Sequence, residues 1–220
     1  MTLELDRDGA QLFPGALDGS ALEHLRSLFP STTGPGERIY RNARLADWLT
    51  NGPAGIISRQ VLGDAATPVR AILFDKTPGA NWSLGWHQDR TIAVRERIDR
   101  AGFDHWNSKA GVTHVEPSFD VLKRMLTARI HLDPVPANNA PLLIAPGSHG
   151  KGRIAEDAIE AVVKQCGSFA CLAAAGDIWL YRTTILHASD RSRTVDRRRV
   201  LQVDYSAEKL PGDLEWRGVG

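Results

Sequence analysis

The second half of the chain is divided into short apolar segments, and this pattern limits the folds that it can adopt. From residue 68 onward, glycine, proline, asparagine and aspartate separate segments rich in aliphatic and aromatic residues. Such segments predict β-strands, and the scarcity of helical signals between them favours an antiparallel double sheet or barrel over a parallel α/β sheet. The eight predicted strands are Val69–Phe74, Leu84–Val94, Met125–Leu132, Leu142–Ala145, Phe169–Ala173, Ile178–Tyr181, Thr184–Ala188 and Arg199–Tyr205.

A helical region, residues 1–60, precedes this predicted sheet. Its first helix is expected to be capped by Ser20 and ended by Pro30, and a turn-rich stretch follows at 31–37. A chain of 220 residues suits a single domain, 1–220, with a core at about 69–206. The predicted helices are Ser20–Phe29, Leu45–Leu49, Phe119–Arg124 and Ile154–Gln165.

The segment 95–118 is long, charged and aromatic, and no strand or helix is predicted in most of it. Long connections in compact domains are often lids or binding loops, and this one directly follows the strongest chemical motif. We therefore expect a lid, with a solvated surface excursion as the alternative. Trp106 would either line a pocket or anchor the lid.

That motif places one imidazole and one carboxylate two residues apart, in Trp86-His87-Gln88-Asp89. Side chains alternate between the faces of a strand, so His87 and Asp89 would point the same way, about 6–7 Å apart along the chain. Both could then bind one metal ion. Because a strand histidine and aspartate can equally make ordinary hydrogen bonds, a metal site requires a third ligand from elsewhere.

His187 is the favoured third ligand. It ends the apolar segment Thr184-Ile185-Leu186 and precedes a polar loop, so it would face the mouth of a barrel. His149, after a turn signal, and His131, inside a strand, remain alternatives. The other histidines lie on the first helix or in the predicted lid: His24, His105 and His114.

Two imidazoles and one carboxylate leave three adjacent positions open on an octahedral metal, as in non-haem iron(II) oxygenases. The same ligands also occur in catalytic zinc sites, so they do not determine the metal. Arg198 starts a new strand eleven residues after His187, and Ser189 lies two residues after His187. If the new strand paired with the metal-bearing strand, Arg198 could bind the distal carboxylate of 2-oxoglutarate, supported by Ser189. The arginine run 197–199 also fits a solvated basic turn.

Several motifs, taken in their order along the chain, resemble those of the phytanoyl-CoA dioxygenase family over roughly residues 69–205. The resemblance implies a mainly β fold with flanking helices, a double-stranded β-helix (jelly roll, cupin-like). It also implies an iron(II)- and 2-oxoglutarate-dependent dioxygenase that uses O2 to hydroxylate a small molecule, with release of succinate and CO2. The motifs are Trp86–Asp89, Arg129–Asp133, Pro141-Leu142, Pro146–His149, Gly176-Asp177, Leu186-His187 and Arg198.

Transferred position by position, His87, Asp89 and His187 resemble the family's iron ligands, Arg198 its carboxylate clamp and Ser189 a supporting contact. Related halogenases have a small residue in place of the carboxylate ligand, so Asp89 favours hydroxylation. The chain departs from the family at Ala140, where glycine is usual, which predicts an altered turn. The resemblance leaves room for two further contacts to the co-substrate, Lys76 or Arg70.

The remaining features concern partners and location. Twenty-seven basic and 26 acidic residues give no electrostatic reason to expect nucleic acid or a membrane as partner. The first residues show no secretory pattern, and two cysteines outside any C-x-x-C pair fit a reducing cytoplasm. A small-molecule substrate is expected, while its identity and the oligomeric state stay open. The alternatives are a cupin-like metalloprotein that does not use 2-oxoglutarate and a degenerate ligand-binding member.

Overall fold

The computed structural model describes residues 2–29, 36–194 and 196–220. Within these residues the chain forms six α-helices, two short 3-10 helices and thirteen β-strands. The α-helices are α1 Leu5–Asp8, α2 Gly19–Leu28, α3 Ala43–Asn51, α4 Pro53–Leu62, α5 Phe119–Lys123 and α6 Ile159–Cys166. The 3-10 helices are Ser148–Lys151 and Glu156–Ala158. The strands are β1 Ala10–Phe13, β2 Glu37–Ile39, β3 Thr67–Lys76, β4 Leu84–His87, β5 Ile92–Val94, β6 Phe103–Lys109, β7 Val112–Pro117, β8 Met125–His131, β9 Leu142–Ile144, β10 Phe169–Cys171, β11 Ile178–Arg182, β12 His187–Ser189 and β13 Arg198–Ser206.

The strands pair in three antiparallel sheets. A six-stranded sheet has the order β1-β11-β8-β13-β3-β2, and a four-stranded sheet has the order β10-β9-β12-β4. Residues from both sheets line one cavity, which therefore lies between them. This is a jelly roll with flanking helices, as the sequence predicted. No helix in the described part of the chain has the length and hydrophobicity needed to cross a bilayer.

Helices cover one face of the six-stranded sheet. Alternate residues of β13 are fully buried in an apolar cluster with Leu45 and Leu49 of α3; they are Leu201, Val203 and Tyr205. Burying each such side chain contributes roughly 1.5–3 kcal/mol. The intervening residues of the same strand point to the opposite face, toward the cavity. The period of two in a strand thus separates an apolar face from a polar one.

The helix boundaries differ in part from the prediction. The first helix, α2, is capped by Asp18 and not by Ser20: the Asp18 carboxylate accepts a hydrogen bond of 2.8 Å from the Ala21 amide. The residue predicted to end it, Pro30, and residues 31–35 of the turn-rich stretch lie outside the described residues. Glu37–Ile39 is a strand and not a turn. The helix over 45–49 is confirmed within α3, and α4 was not predicted.

Two predicted strands are wrong in their extent. The segment Leu84–Val94 is two strands, β4 and β5, which belong to different sheets. Gln88 lies between them and is buried, donating hydrogen bonds to the Thr184 and Gly152 carbonyls and accepting one from the Ile154 amide. These three hydrogen bonds hold the Gln88 side chain at the point where the predicted strand is interrupted. Strand β12 begins at His187, so His187 starts this strand and does not end it.

The predicted lid, 95–118, is not a long loop. Its second half is the hairpin β6–β7, which joins β5 in the three-stranded sheet. The turn residues Ala110 and Gly111 have φ values of 52° and 75°, as in the two-residue turns that match the twist of a hairpin. Trp106 packs against the apolar cluster beneath this sheet, beside the Arg97 guanidinium, and does not line the cavity. Whether the hairpin acts as a lid stays a prediction.

Candidate active site

The three candidate metal ligands converge at one end of the cavity. Strands β4 and β12 pair in antiparallel register so that His87 stands directly opposite His187, with ring centroids 4.2 Å apart. Asp89 lies two residues beyond the end of β4. One ligand atom from each of the three residues lies within 4.8 Å of the other two, and no other such group occurs among the described residues. This distance allows a single cation to contact all three.

Backbone carbonyls orient both imidazoles. His87 Nδ1 lies 2.8 Å from the Gly85 carbonyl oxygen, and His187 Nδ1 lies 3.0 Å from that of Ile185. Because a carbonyl only accepts, each Nδ1 carries a proton, which leaves Nε2 as the ring nitrogen that could bind a metal. Burial, with the nearby His87, lowers the pKa of His187 to about 4. The imidazole is therefore neutral at physiological pH, as a metal ligand must be.

An arginine contacts the carboxylate of Asp89. Arg70 Nη2 lies 3.5 Å from Asp89 Oδ2, and Arg70 Nε donates to Asp204 Oδ2 at 2.5 Å. Burial by itself would raise the pKa of Asp89, but Arg70 and the two imidazoles outweigh it, so the pKa is lowered. The carboxylate is thus ionised. Asp204 accepts a further hydrogen bond from Thr127, which fixes the arginine between two acids.

A second group of charges lies on the cavity face of the six-stranded sheet: Lys76, Arg129 and Arg198. In the described part of the chain, none of the three forms an ion pair, and the Nε atoms of both arginines are buried without a hydrogen-bond partner. Burial and the neighbouring arginines lower the pKa of Lys76 to about 7, and burial with Arg129 lowers that of Arg198 to about 9. Burying cations without a counter-charge costs stability, so an anion bound beside this cluster would stabilise it.

Neighbouring residues accept hydrogen bonds from this cluster. Lys76 Nζ donates to Ser189 Oγ at 3.2 Å and to the Asp190 carbonyl. Arg129 donates to Gln202 Oε1 at 2.8 Å. These bonds leave most of the positive charge without a counter-charge. A dicarboxylate with one end on the metal and the other on this cluster would supply it.

Arg198 reaches the cavity by a different route from the one predicted. Its strand, β13, pairs with β3 and β8 in the six-stranded sheet and not with β12, which carries His187. Arg198 therefore faces the metal ligands across the sandwich, directly beside its cross-strand partner Lys76. The proposal of a solvated turn is also wrong for Arg198, which is only 2% exposed. Ser189 lies on β12 and bonds Lys76.

The altered turn at Ala140 touches the same cluster. Ala140 has φ of 49°, in the left-handed region where a side chain costs about 1–2 kcal/mol relative to glycine. Its carbonyl oxygen accepts a hydrogen bond from Arg198 Nη1. The departure from the family pattern thus lies in a turn that contacts the Arg198 guanidinium.

Two cavity residues were not singled out from the sequence: Arg129 had no assigned role, and Gln202 was only part of a strand. Their signal was present, because polar residues recur at every second position of otherwise apolar buried strands. In β8 these are Thr127, Arg129 and His131, and in β13 they include Gln202 and Asp204. The alternative third ligands, His131 and His149, lie outside the metal-binding group among the described residues.

The cavity encloses about 910 Å³, near the upper end of the usual range for small-molecule sites. This leaves room for a second molecule beside a small dicarboxylate. Its apolar walls come from both sheets and the loop that joins β3 to β4. They include Ile72, Phe74, Trp82, Leu84 and Leu142.

Comparison with known proteins agrees with this geometry. The family described as phytanoyl-CoA dioxygenase (PhyH) matches residues 56–200, about two thirds of the chain. No curated protein sequence matches the chain.

Among solved structures, the chain is similar to the apo form of EctD from S. alaskensis, with 18% identity, a TM-score of 0.70 and coverage of 98% of this chain and 78% of that one. It is similar to the epimerase SnoN in complex with Fe3+, alpha-ketoglutarate and nogalamycin RO, with 15% identity, a TM-score of 0.67 and coverage of 95% and 88%. The chain is also similar to HygX from Streptomyces hygroscopicus with nickel and 2-oxoglutarate bound, with 14% identity, a TM-score of 0.64 and coverage of 92% of this chain and 84% of that one. These likenesses support the jelly-roll fold. With the family match, they show that the chain belongs to the phytanoyl-CoA dioxygenase family and is an iron- and 2-oxoglutarate-dependent oxygenase.

Proposed function

We propose that the protein hydroxylates a small molecule, with His87, Asp89 and His187 as its iron ligands. The observation that carries this proposal is the convergence of two imidazoles and one carboxylate beside a cluster of unpaired cations. The donor set suits iron(II), because imidazole and carboxylate together leave three coordination positions open. When bound, the iron with O2 supplies the oxidising chemistry that side chains lack.

We assign the distal carboxylate of 2-oxoglutarate to Arg198, with Ser189 and Lys76 beside it. The guanidinium Nε is buried without a partner in the described residues, and a carboxylate would satisfy it. Lys76 Nζ, beside Arg198 on the same sheet, and Ser189 Oγ, on the opposite sheet, lie 3.2 Å apart and offer further donors. The charge of this cluster would hold the co-substrate in one orientation across the sandwich.

Asp89 supports hydroxylation as the outcome. It occupies the ligand position that stays open for chloride in related halogenases, and Arg70 keeps it ionised and in place. A carboxylate fixed in this way excludes a halide from the same position. The protein's own contribution is orientation of the two substrates in a cavity that lies between two sheets.

The experiment is an anaerobic titration of the metal-free protein with Fe(II) and 2-oxoglutarate, followed by succinate measurement under air. We expect a visible charge-transfer band only when both are present, and succinate release that substrate stimulates. In His87→Ala both signals should be lost. Substrate-stimulated turnover that survives in His87→Ala would refute the ligand assignment.

The same assay separates the alternatives. A cupin-like enzyme that does not use 2-oxoglutarate would keep its activity in Arg198→Ala and form no band. A degenerate ligand-binding member would bind a small molecule without succinate release. The matched control is Arg44→Ala on α3, which is exposed and does not line the cavity.

We further propose that residues 1–220 act as one oxygenase domain in the cytoplasm, with a small-molecule substrate and no nucleic-acid or membrane partner. One apolar cluster combines residues of the helical region with residues of the sheet, which supports a single unit. Cys166 and Cys171 are both free thiols, as is usual in a reducing compartment. We also keep the proposal that the hairpin β6–β7 covers the substrate, because its end reaches the cavity.

A further inference from the structure

Arg38 is a cation that the co-substrate does not explain. It lies on the edge strand β2, opposite Ile72 of β3, and so its side chain shares the cavity face with Ile72. The side chain is half-buried, and its Nε atom is buried without a hydrogen-bond partner among the described residues. It forms no ion pair there either. An arginine held in this way is ready to receive an anion.

Lys109 reaches the same part of the cavity from the hairpin. It is the last residue of β6, and the tight turn at Ala110 and Gly111 places it at the cavity mouth, where it is exposed. It has no ion-pair partner in the described chain. Burial lowers its pKa, with Arg70 and Arg38 adding to the effect and Asp89 opposing it, which indicates that the cations lie near one another.

Arg70, whose charge acts on both of these cations, is already neutralised. It bonds Asp204 and contacts Asp89, and Asp89 is itself committed to the metal under the proposed function. Neither acid is therefore free to compensate Arg38 or Lys109. The acidic residues of the opposite wall, Glu156 and Glu160, lie at the 3-10 helix and α6, and Glu156 pairs with Arg90.

The co-substrate cannot reach these cations while it binds the other cluster. Arg38 stands opposite Ile72, and Ile72 and Lys76 lie four residues apart on β3, which corresponds to about 13 Å along a strand. A five-carbon dicarboxylate that connects the metal to Lys76 and Arg198 is too short to extend to Arg38 as well. The cavity thus has two separate basic regions, and one stays without a counter-charge when 2-oxoglutarate is bound.

We infer that Arg38 and Lys109 bind an anionic group, a carboxylate or a phosphate, of the primary substrate. The substrate of this oxygenase is then a small organic anion whose charged end lies toward the hairpin and whose body extends toward the metal. This inference rests on the proposed function, since it treats the remaining cavity as the substrate site. The apolar residues Ile72 and Leu84 in the same lining suit a partly apolar body.

The test uses protein loaded with nickel and 2-oxoglutarate, which permits binding without turnover. The probes are matched sets on aliphatic, aromatic and peptide-like bodies: a carboxylic acid, its methyl ester and the corresponding phosphate monoester. We expect calorimetry to detect binding of at least one acid or phosphate, with at least tenfold weaker binding of its neutral ester. The relative affinities of acid and phosphate identify which anion the site takes. No binding by any anion, or equal affinity of acid and ester, would overturn the inference.

Substitutions then locate the anion. In Arg38→Gln and Lys109→Gln, we expect the preference for the acid over its ester to fall by about tenfold or more, while affinity for the ester stays as in the unaltered protein. The matched controls, Arg44→Gln and Lys123→Gln, are exposed and lie outside the cavity lining. A preference that survives in the double variant Arg38→Gln/Lys109→Gln would show that the anion binds elsewhere.

The outcomes distinguish this inference from the proposed function. Failure of 2-oxoglutarate to bind the metal-loaded protein, or absence of succinate under air, would count against the oxygenase assignment. The comparison of acid with ester is read by binding alone and does not depend on turnover. Normal succinate release together with a preference for neutral or cationic probes would overturn only the inference about the substrate.

Discussion

The two faces of the six-stranded sheet have opposite chemistry although they share the same strands. On β13, Leu201 and Val203 face the helices, while Arg198, Gln202 and Asp204 face the cavity. The helix face is apolar and closely packed, and the cavity face carries buried charges, several of them unpaired. Because buried unpaired charges cost stability, the apolar face must offset them. Along this strand, residues that stabilise the fold therefore alternate with polar and charged residues on the cavity face.

The largest effect on stability should come from the helix face. We expect Leu201→Ala to lower the free energy of unfolding by about 2–5 kcal/mol, because it removes a fully buried side chain from the main apolar cluster. Denaturant titration of the metal-free protein measures this. The fraction that remains folded should bind 2-oxoglutarate with unchanged affinity. A loss of affinity in the folded protein would show that the two faces are not independent.

The opposite result is expected from the cavity face of the same strand. Arg198→Met removes a buried guanidinium that has an unpaired Nε, so the metal-free protein should gain about 1 kcal/mol or more in stability. Affinity for 2-oxoglutarate should fall at least tenfold, or about 1.4 kcal/mol. The free energy of unfolding and, by calorimetry, the affinity for 2-oxoglutarate are measured on the same preparation. Lower stability without the loss of affinity would place Arg198 among the structural residues.

A smaller effect is the pH dependence of stability that Lys76 causes on the cavity face. The pKa of Lys76 is about 7 in the folded protein, against an ordinary value of 10.5, because burial and two arginines disfavour the charged form. Between these values the unfolded chain binds more protons, so this residue makes stability rise as pH increases from about 7 toward 10. The rise should be shallower in Lys76→Met. Identical pH slopes in the two proteins, measured without metal, would contradict the assignment.

The smallest effect concerns the turn that contacts Arg198. Ala140→Gly should raise stability by about 0.5 kcal/mol, because relief of the strained φ of 49° exceeds the added entropy of the unfolded chain. Thermal unfolding detects it, with Ala170→Gly on β10 as a matched control that should be destabilising. Destabilisation by Ala140→Gly would mean that the turn is not strained.

The sequence was informative where chemistry is local. His87 and Asp89 were predicted to share a metal because their spacing is set by the strand itself, and the geometry brings them together with His187. It was less informative where strands from distant parts of the chain pair, so Arg198 was expected beside β12 and lies in the other sheet.

Other differences have equally specific causes. The break between β4 and β5 depends on the buried Gln88, whose three hydrogen-bond partners lie more than 60 residues away. No local pattern indicates such contacts. The prediction missed the hairpin β6–β7 because charged and aromatic residues favour a loop, although Gly111 at its turn is a residue typical of hairpin turns. Arg129 was detectable as a polar residue in an apolar strand, but its partner Gln202 lies 73 residues away.

The position of β13 has a consequence for how the protein is made. This strand lies between β8 and β3, and its partners on β3 precede it by more than 120 residues. A nascent chain emerging from the ribosome therefore cannot complete its larger sheet until residue 206 is available. Contacts of such long range are formed slowly. The cavity wall that carries Lys76, Arg129 and Arg198 is consequently completed late, after the strands of the smaller sheet have been synthesised.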